Sequence, residues 1–174
     1  MARIPYADLN RPEIQPIVEQ ITAERGSVIH LYQMLLQSPA VAQGWLDYLT
    51  AIRQKTSISG ALRELIIMRV AILNRAPYEA DQHAPIALQE GITQAQLDAL
   101  EDWQDSDLFN AQEQAVLAYT DAMTLQVQVP DAVFDALRQH FNQQETVEIT
   151  ATIGAYNMVS RFLEALQIHS DDER

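Results

Sequence analysis

The chain has 174 residues, 48% of them hydrophobic, and a formal net charge of -13 at pH 7. Length and composition allow a sizeable core and predict one globular domain over residues 1–174, while the acidity argues against a nucleic-acid phosphate backbone or an anionic membrane as partner. The chain has no cysteine, which excludes disulfides, thiolate metal sites, cysteine nucleophiles and thiol-based peroxide reduction.

The N-terminal residues carry no charged segment followed by an apolar run, and no uninterrupted apolar stretch reaches the roughly 20 residues that span a bilayer. The expected location is cytoplasmic. In chain order, three- and four-residue apolar spacing predicts helices over 12–25, 28–37, 39–54, 60–74, 78–90, 94–103, 111–127, 131–141 and 144–167, an all-α fold. Ser38 before Pro39 marks one helix start, and Thr93 with Gln96, Asn110 with Glu113, and Asn142 with Glu145 have capping-box spacing. Pro77 and Pro130 sit where a helix begins, and Gly91 where one stops. Segment 60–74 is apolar on most faces and is expected at the molecule's centre. The last helix, interrupted by Asn157, Ser160, Arg161 and Glu164, has the same character and is a candidate to pack on it.

Three titratable groups fall inside this apolar region. Glu79 and His83 are four residues apart, so on a helix their side chains share a face, and the short Asn-Arg-Ala-Pro connection can fold Glu64 of the preceding helix toward His83. Tyr78 and Gln82 can add hydrogen bonds. A histidine between carboxylates has its charged form favoured, and such a pair can shuttle protons near neutral pH. The plainer alternative is that Glu64 pairs with Arg63 or Arg69 and that His83 is a satisfied core histidine.

A metal would need a second histidine, and His30, His140 and His169 have no motif-like spacing to His83, so no metal is expected. Asn157 and Arg161, also four apart, fit either a buried arginine neutralising Glu64 or Glu164, or an anion site. The aromatic residues are scattered as core or interface residues are, and no phosphate loop, nucleophile elbow or nucleotide fingerprint occurs.

The stretch RELIIMRVAILNRAPYEADQHAPIALQEGIT resembles the signature region of the carboxymuconolactone decarboxylase-like superfamily, which includes the alkylhydroperoxidase D proteins. The peroxidase branch has a Glu, eleven residues, Cys-x-x-Cys, three residues and a His; counted back from His83, this places Glu64 on the Glu and Ala76 and Glu79 on the two cysteines. Tyr78, Glu79 and His83 instead resemble the branch without thiols, and Asn157 and Arg161 match a segment that many members carry on the last helix. The similarity is strongest over about residues 60–92.

The resemblance implies an alkylhydroperoxidase D-like multi-helical domain that forms closed homo-oligomers, often trimers or hexamers, with the Glu and His pocket near subunit interfaces. It also implies a cofactor-free decarboxylase or isomerase acting on a small carboxylated lactone or related aromatic-degradation intermediate. His83 would be the acid/base, Glu79 or Glu64 its orienting group, and Arg161 a carboxylate anchor. The alternatives are a peroxidase-related protein without thiol activity and a non-catalytic, oligomeric small-ligand-binding protein.

Overall fold

The computed structural model describes residues 1–173. Among them are nine α-helices and no strand: α1 (Gln15–Arg25), α2 (His30–Leu35), α3 (Pro39–Gln54), α4 (Gly60–Asn74), α5 (Pro77–Gln89), α6 (Gln94–Ala99), α7 (Ala111–Gln126), α8 (Asp131–Arg138) and α9 (Gln143–Leu166). The fold is all-α, as the apolar spacing predicts.

Local chemistry accounts for most helix ends. Thr93 and Gln96 form a reciprocal capping box on α6, and Asn110 and Glu113 form one on α7. At α9 the Asn142 N–H donates to Glu145 at 2.8 Å and the Glu145 N–H donates to Asn142 Oδ1 at 3.0 Å. Ser59 accepts from the Leu62 N–H and starts α4, whereas Ser38 makes no side-chain cap on α3.

The largest departures from the expected helix ends are at α6 and α8. The segment expected over 94–103 ends as α6 at Ala99, because the Arg69 guanidinium takes the carbonyls of Leu100 (2.8 Å) and Glu101 (3.0 Å), and a 3-10 turn follows at Trp103–Asp105. The segment expected over 131–141 ends as α8 at Arg138, whose guanidinium captures the Phe141 carbonyl at 2.6 Å and the Thr146 hydroxyl at 2.8 Å.

The described residues fall into two compact units, each with its own core. One comprises Met1–Lys55 and the described residues from Leu163 onward. Here α1 and α2 pack on α3, and Ile14, Ile21, Leu35, Leu36 and Leu46 are fully buried, as Trp45 nearly is. Its N-terminal arm closes the end of α9: the Arg3 N–H donates to the Leu166 carbonyl and the Arg3 guanidinium to the Ala165 carbonyl, both at 2.9 Å. The Tyr6 hydroxyl donates to Asp172 at 2.7 Å.

The second unit, Thr56–Phe162, has α4 at its centre, packed on α5 and α7, with α8 on α7. Leu65, Met68, Ala87, Ile92, Leu100, Trp103, Phe109 and Leu117 form one apolar cluster. Each large side chain removed from water there contributes about 1.5–3 kcal/mol before entropy is counted. A polar clamp crosses this core: Arg69 makes a two-armed ion pair with Asp121 at 2.6 and 2.9 Å, and Trp103 Nε1–H donates to the same carboxylate at 3.1 Å. The Glu148 carboxylate accepts from the N–H groups of Ser57 and Ile58 and from the Ser57 hydroxyl, fixing the approach to α4.

A tight reversal joins α4 to α5. Arg75 adopts left-handed backbone at φ 53°, so its N–H reaches the Ile72 carbonyl and the Ala76 N–H reaches the Ala71 carbonyl. Pro77 then opens α5 with the ring-fixed φ that a first turn accepts. At the far end, Gly91 at φ 102° and Ile92 close α5 in the same pattern, the Ile92 N–H donating to Ala87. Glycine is required at that position for its conformation.

Candidate active site

The reversal at Arg75 and Ala76 lays α5 back along α4, and the outcome is a direct contact between the two expected partners. His83 Nδ1 lies 2.7 Å from Glu64 Oε2. Glu64 has no solvent exposure and His83 is 8% exposed, so the pair is held within the unit and shielded from bulk water. The other Glu64 oxygen accepts from Arg63 Nε at 3.2 Å. One carboxylate therefore bridges a guanidinium and an imidazole, and binding at Nδ1 directs the opposite ring nitrogen, Nε2, away from Glu64.

The last helix supplies the rest of the surroundings. The Tyr156 ring meets the His83 ring edge to face, with centroids 5.1 Å apart. One turn on, the Ser160 hydroxyl donates to Glu79 Oε2 at 2.8 Å. Glu79 is 1% exposed and Tyr78 2% exposed, so both lie buried in the first turn of α5. Gln82 is half-buried, and its amide makes no hydrogen bond among the described residues.

Asn157 and Arg161 form a second cluster on the adjacent face of α9. Asn157 Oδ1 accepts from Asn74 at 3.0 Å and from the Arg161 guanidinium at 2.6 Å, while its amide donates to Thr124 and to the Ile153 carbonyl, each at 3.0 Å. Asn157 is buried. Arg161 is exposed and forms no ion pair among the described residues, so the guanidinium neutralises neither Glu64 nor Glu164.

The structure thus joins Glu64 to His83, joins Asn157 to Arg161, and ties Glu79 to Ser160. Of the two arginines offered as partners of Glu64, Arg63 makes the contact and Arg69 pairs with Asp121 instead; Tyr156 beside His83 and the bond from Ser160 to Glu79 are additions to the expected site. Tyr156 and Ser160 carry a usable signal, being four apart on an apolar helix and in phase with its buried side. Among the described residues no group of three His, Asp or Glu side chains is disposed to hold a metal ion. None of the described helices is long and apolar enough to cross a membrane.

The all-helical arrangement of the described residues is like that of alkylhydroperoxidase D-like structures. The profile of the carboxymuconolactone decarboxylase family matches residues 39–122, and the chain belongs to the carboxymuconolactone decarboxylase and alkylhydroperoxidase D-like superfamily. Its lack of cysteine fits the branch without the Cys-x-x-Cys pair.

Among similar proteins, the uncharacterized protein YnjA of Escherichia coli is 30% identical over 129 residues, which span 72% of this chain and 66% of that protein. A crystal structure of a protein of unknown function from Agrobacterium tumefaciens, described as a putative antioxidant defence protein, is 26% identical. It superposes with a TM-score of 0.74 over 79% of this chain and 94% of that one. An uncharacterized peroxidase-related protein from Ralstonia eutropha, with an alkylhydroperoxidase core, reaches a TM-score of 0.84 at 19% identity, over 98% of this chain and 93% of that one. This last likeness is one of fold.

Proposed function

We propose that the protein is a cofactor-free lyase or isomerase acting on a small carboxylated lactone or a related intermediate of aromatic degradation. The observation that supports it is the buried Glu64–His83 contact of 2.7 Å. Glu64 fixes the ring through Nδ1, which leaves Nε2 to carry the proton that the reaction needs.

In decarboxylation, the bond between the ring carbon and the departing carboxylate breaks, and its electron pair passes into the conjugated lactone carbonyl. Carbon dioxide leaves, and His83 as imidazolium delivers one proton to the resulting carbanion-like carbon. The neutral imidazole is reprotonated from water. Arg161, held by Asn157, offers planar donors to a carboxylate that the substrate retains, and the proposed role of Tyr78 and Gln82 is to help orient it. Glu79, anchored by Ser160, adds negative potential on the same helix as His83. A thiol peroxidase is disfavoured because the chain contains no thiol to attack a peroxide oxygen. A single domain over residues 1–174, assembly as a homotrimer or homohexamer and a cytoplasmic location accompany this reading.

The test is consumption of gamma-carboxymuconolactone, followed by absorbance, by the purified protein and by His83→Gln at matched oligomeric state. Turnover that falls by about 10²–10⁴-fold in the variant is the expected result. No turnover in either protein would sink the decarboxylase reading and favour a non-catalytic protein that binds a small acid.

A further inference from the structure

The Glu64–His83 pair has a third and a fourth member. Arg63, 12% exposed at its side chain, contacts Glu64 Oε1 at 3.2 Å and reaches Glu90 Oε1 at 3.5 Å. Glu90 follows the last turn of α5, is 41% exposed at its side chain, and folds its carboxylate over Gly60 in the first turn of α4, where a Cβ at position 60 would collide with it. A row of alternating charge therefore runs from the surface inward: Glu90, Arg63, Glu64, His83.

We propose that Arg63 is a positioning residue that sets the protonation of His83 through Glu64, and that Glu90 adjusts this setting through Arg63. When His83 is neutral, the fully buried Glu64 carboxylate must be compensated from elsewhere, and Arg63 is the cation in contact with it. Removing that guanidinium takes a positive charge from the buried carboxylate, so the imidazolium is favoured more strongly and His83 holds its proton to higher pH. Glu90 acts in the opposite sense. It draws on the charge of Arg63, and without it Arg63 compensates Glu64 more fully, making His83 easier to deprotonate.

His83 contacts Glu64 from α4 and Tyr156 from α9. Arg63 bears on it through Glu64, and Glu79, bound by Ser160, lies four residues before it on its own helix. The inference builds on the acid–base reading of His83, yet it is tested without any substrate.

The experiment is an NMR titration of the His83 imidazole in the whole protein, with the signals assigned by their loss in His83→Gln. Arg63→Gln is expected to raise the midpoint by about one pH unit, and Arg63→Lys to restore most of the original value. Glu90→Gln should lower it by a smaller amount and have no effect once Arg63 is Gln, the sign of action through a shared partner. Gly60→Ala is a second route. It expels the flexible Glu90 side chain at little cost to the fold, and it should reproduce the Glu90→Gln shift even if Arg63→Gln proves too unstable to study.

An unmoved His83 in Arg63→Gln, or in Gly60→Ala where that is the variant that folds, overturns the proposal. An equal Glu90→Gln effect in both Arg63 backgrounds overturns the role of Glu90. If the shifts appear but the lactone is not consumed, the substrate reading fails and this one stands.

Discussion

Asp172 shows two forces acting on one carboxyl in opposite senses. Burial pushes it up, but hydrogen bonds from the Tyr6 hydroxyl and the His169 N–H, with the charged amino group of Met1, outweigh this and bring it down to about 2 from an ordinary 3.8. A carboxyl depressed in the folded state stabilises the fold above its unfolded value and loses that contribution as pH falls through the folded one. Asp172 should therefore add stability above about pH 4, fading toward about pH 2. Urea midpoints of the parent protein and Asp172→Asn are expected to differ at the upper end of this window and to converge at the lower end; a constant gap would refute the assignment. The same scale shows what sequence can reveal. Glu64 and His83 were readable as partners because helical spacing and a short connection suffice to bring them together. The contacts of Ser160 with Glu79 and of Tyr156 with His83 span more than seventy residues, and only the packing of α9 against α5 decides them.

Among the elements, α7 ends in an unusual way. Val127 has φ 66° and ψ -48°, and the Gln128 N–H closes a three-residue turn onto the Gln126 carbonyl at 2.7 Å. A β-branched residue is strained in this conformation, and Val127 is 80% exposed, so no core packing offsets the cost. Val127→Gly should stabilise the protein by about 0.5–1 kcal/mol, seen as a higher urea midpoint with an unchanged slope. An unchanged or lower midpoint would mean that the strain is not released. Helix starts were legible wherever a side chain two or three positions away does the capping, as at Thr93, Asn110 and Asn142. The ends of α6 and α8 were not, because the guanidiniums of Arg69 and Arg138 reach the carbonyls that would have continued them, and such long arms leave no periodic trace. Pro85 lies inside α5, exposed, and the helix continues around it at the loss of one N–H donor.

At the scale of the whole molecule, the acidic surface and the apolar helices were evident from composition, whereas the division into two cores was not, since no linker-like stretch marks it. The proposal of a single domain over residues 1–174 predicts one cooperative transition, with both cores lost together. The chain has two tryptophans, and the cores divide them: Trp45 lies on α3 in one, and Trp103 lies in the other beside the Arg69–Asp121 ion pair. Each is 8% exposed in the folded state, so each emission should move to longer wavelength when its own surroundings admit water. Trp45→Phe and Trp103→Phe then leave one native fluorophore apiece. Superimposable denaturation curves from the two variants, after allowance for any change in midpoint, would support one cooperative domain, and a biphasic parent curve resolved into separate phases would count against it. The Trp103 signal carries added chemical detail, because its indole N–H is bonded to a carboxylate whose neutralisation in Asp121→Asn should alter the emission before any unfolding begins.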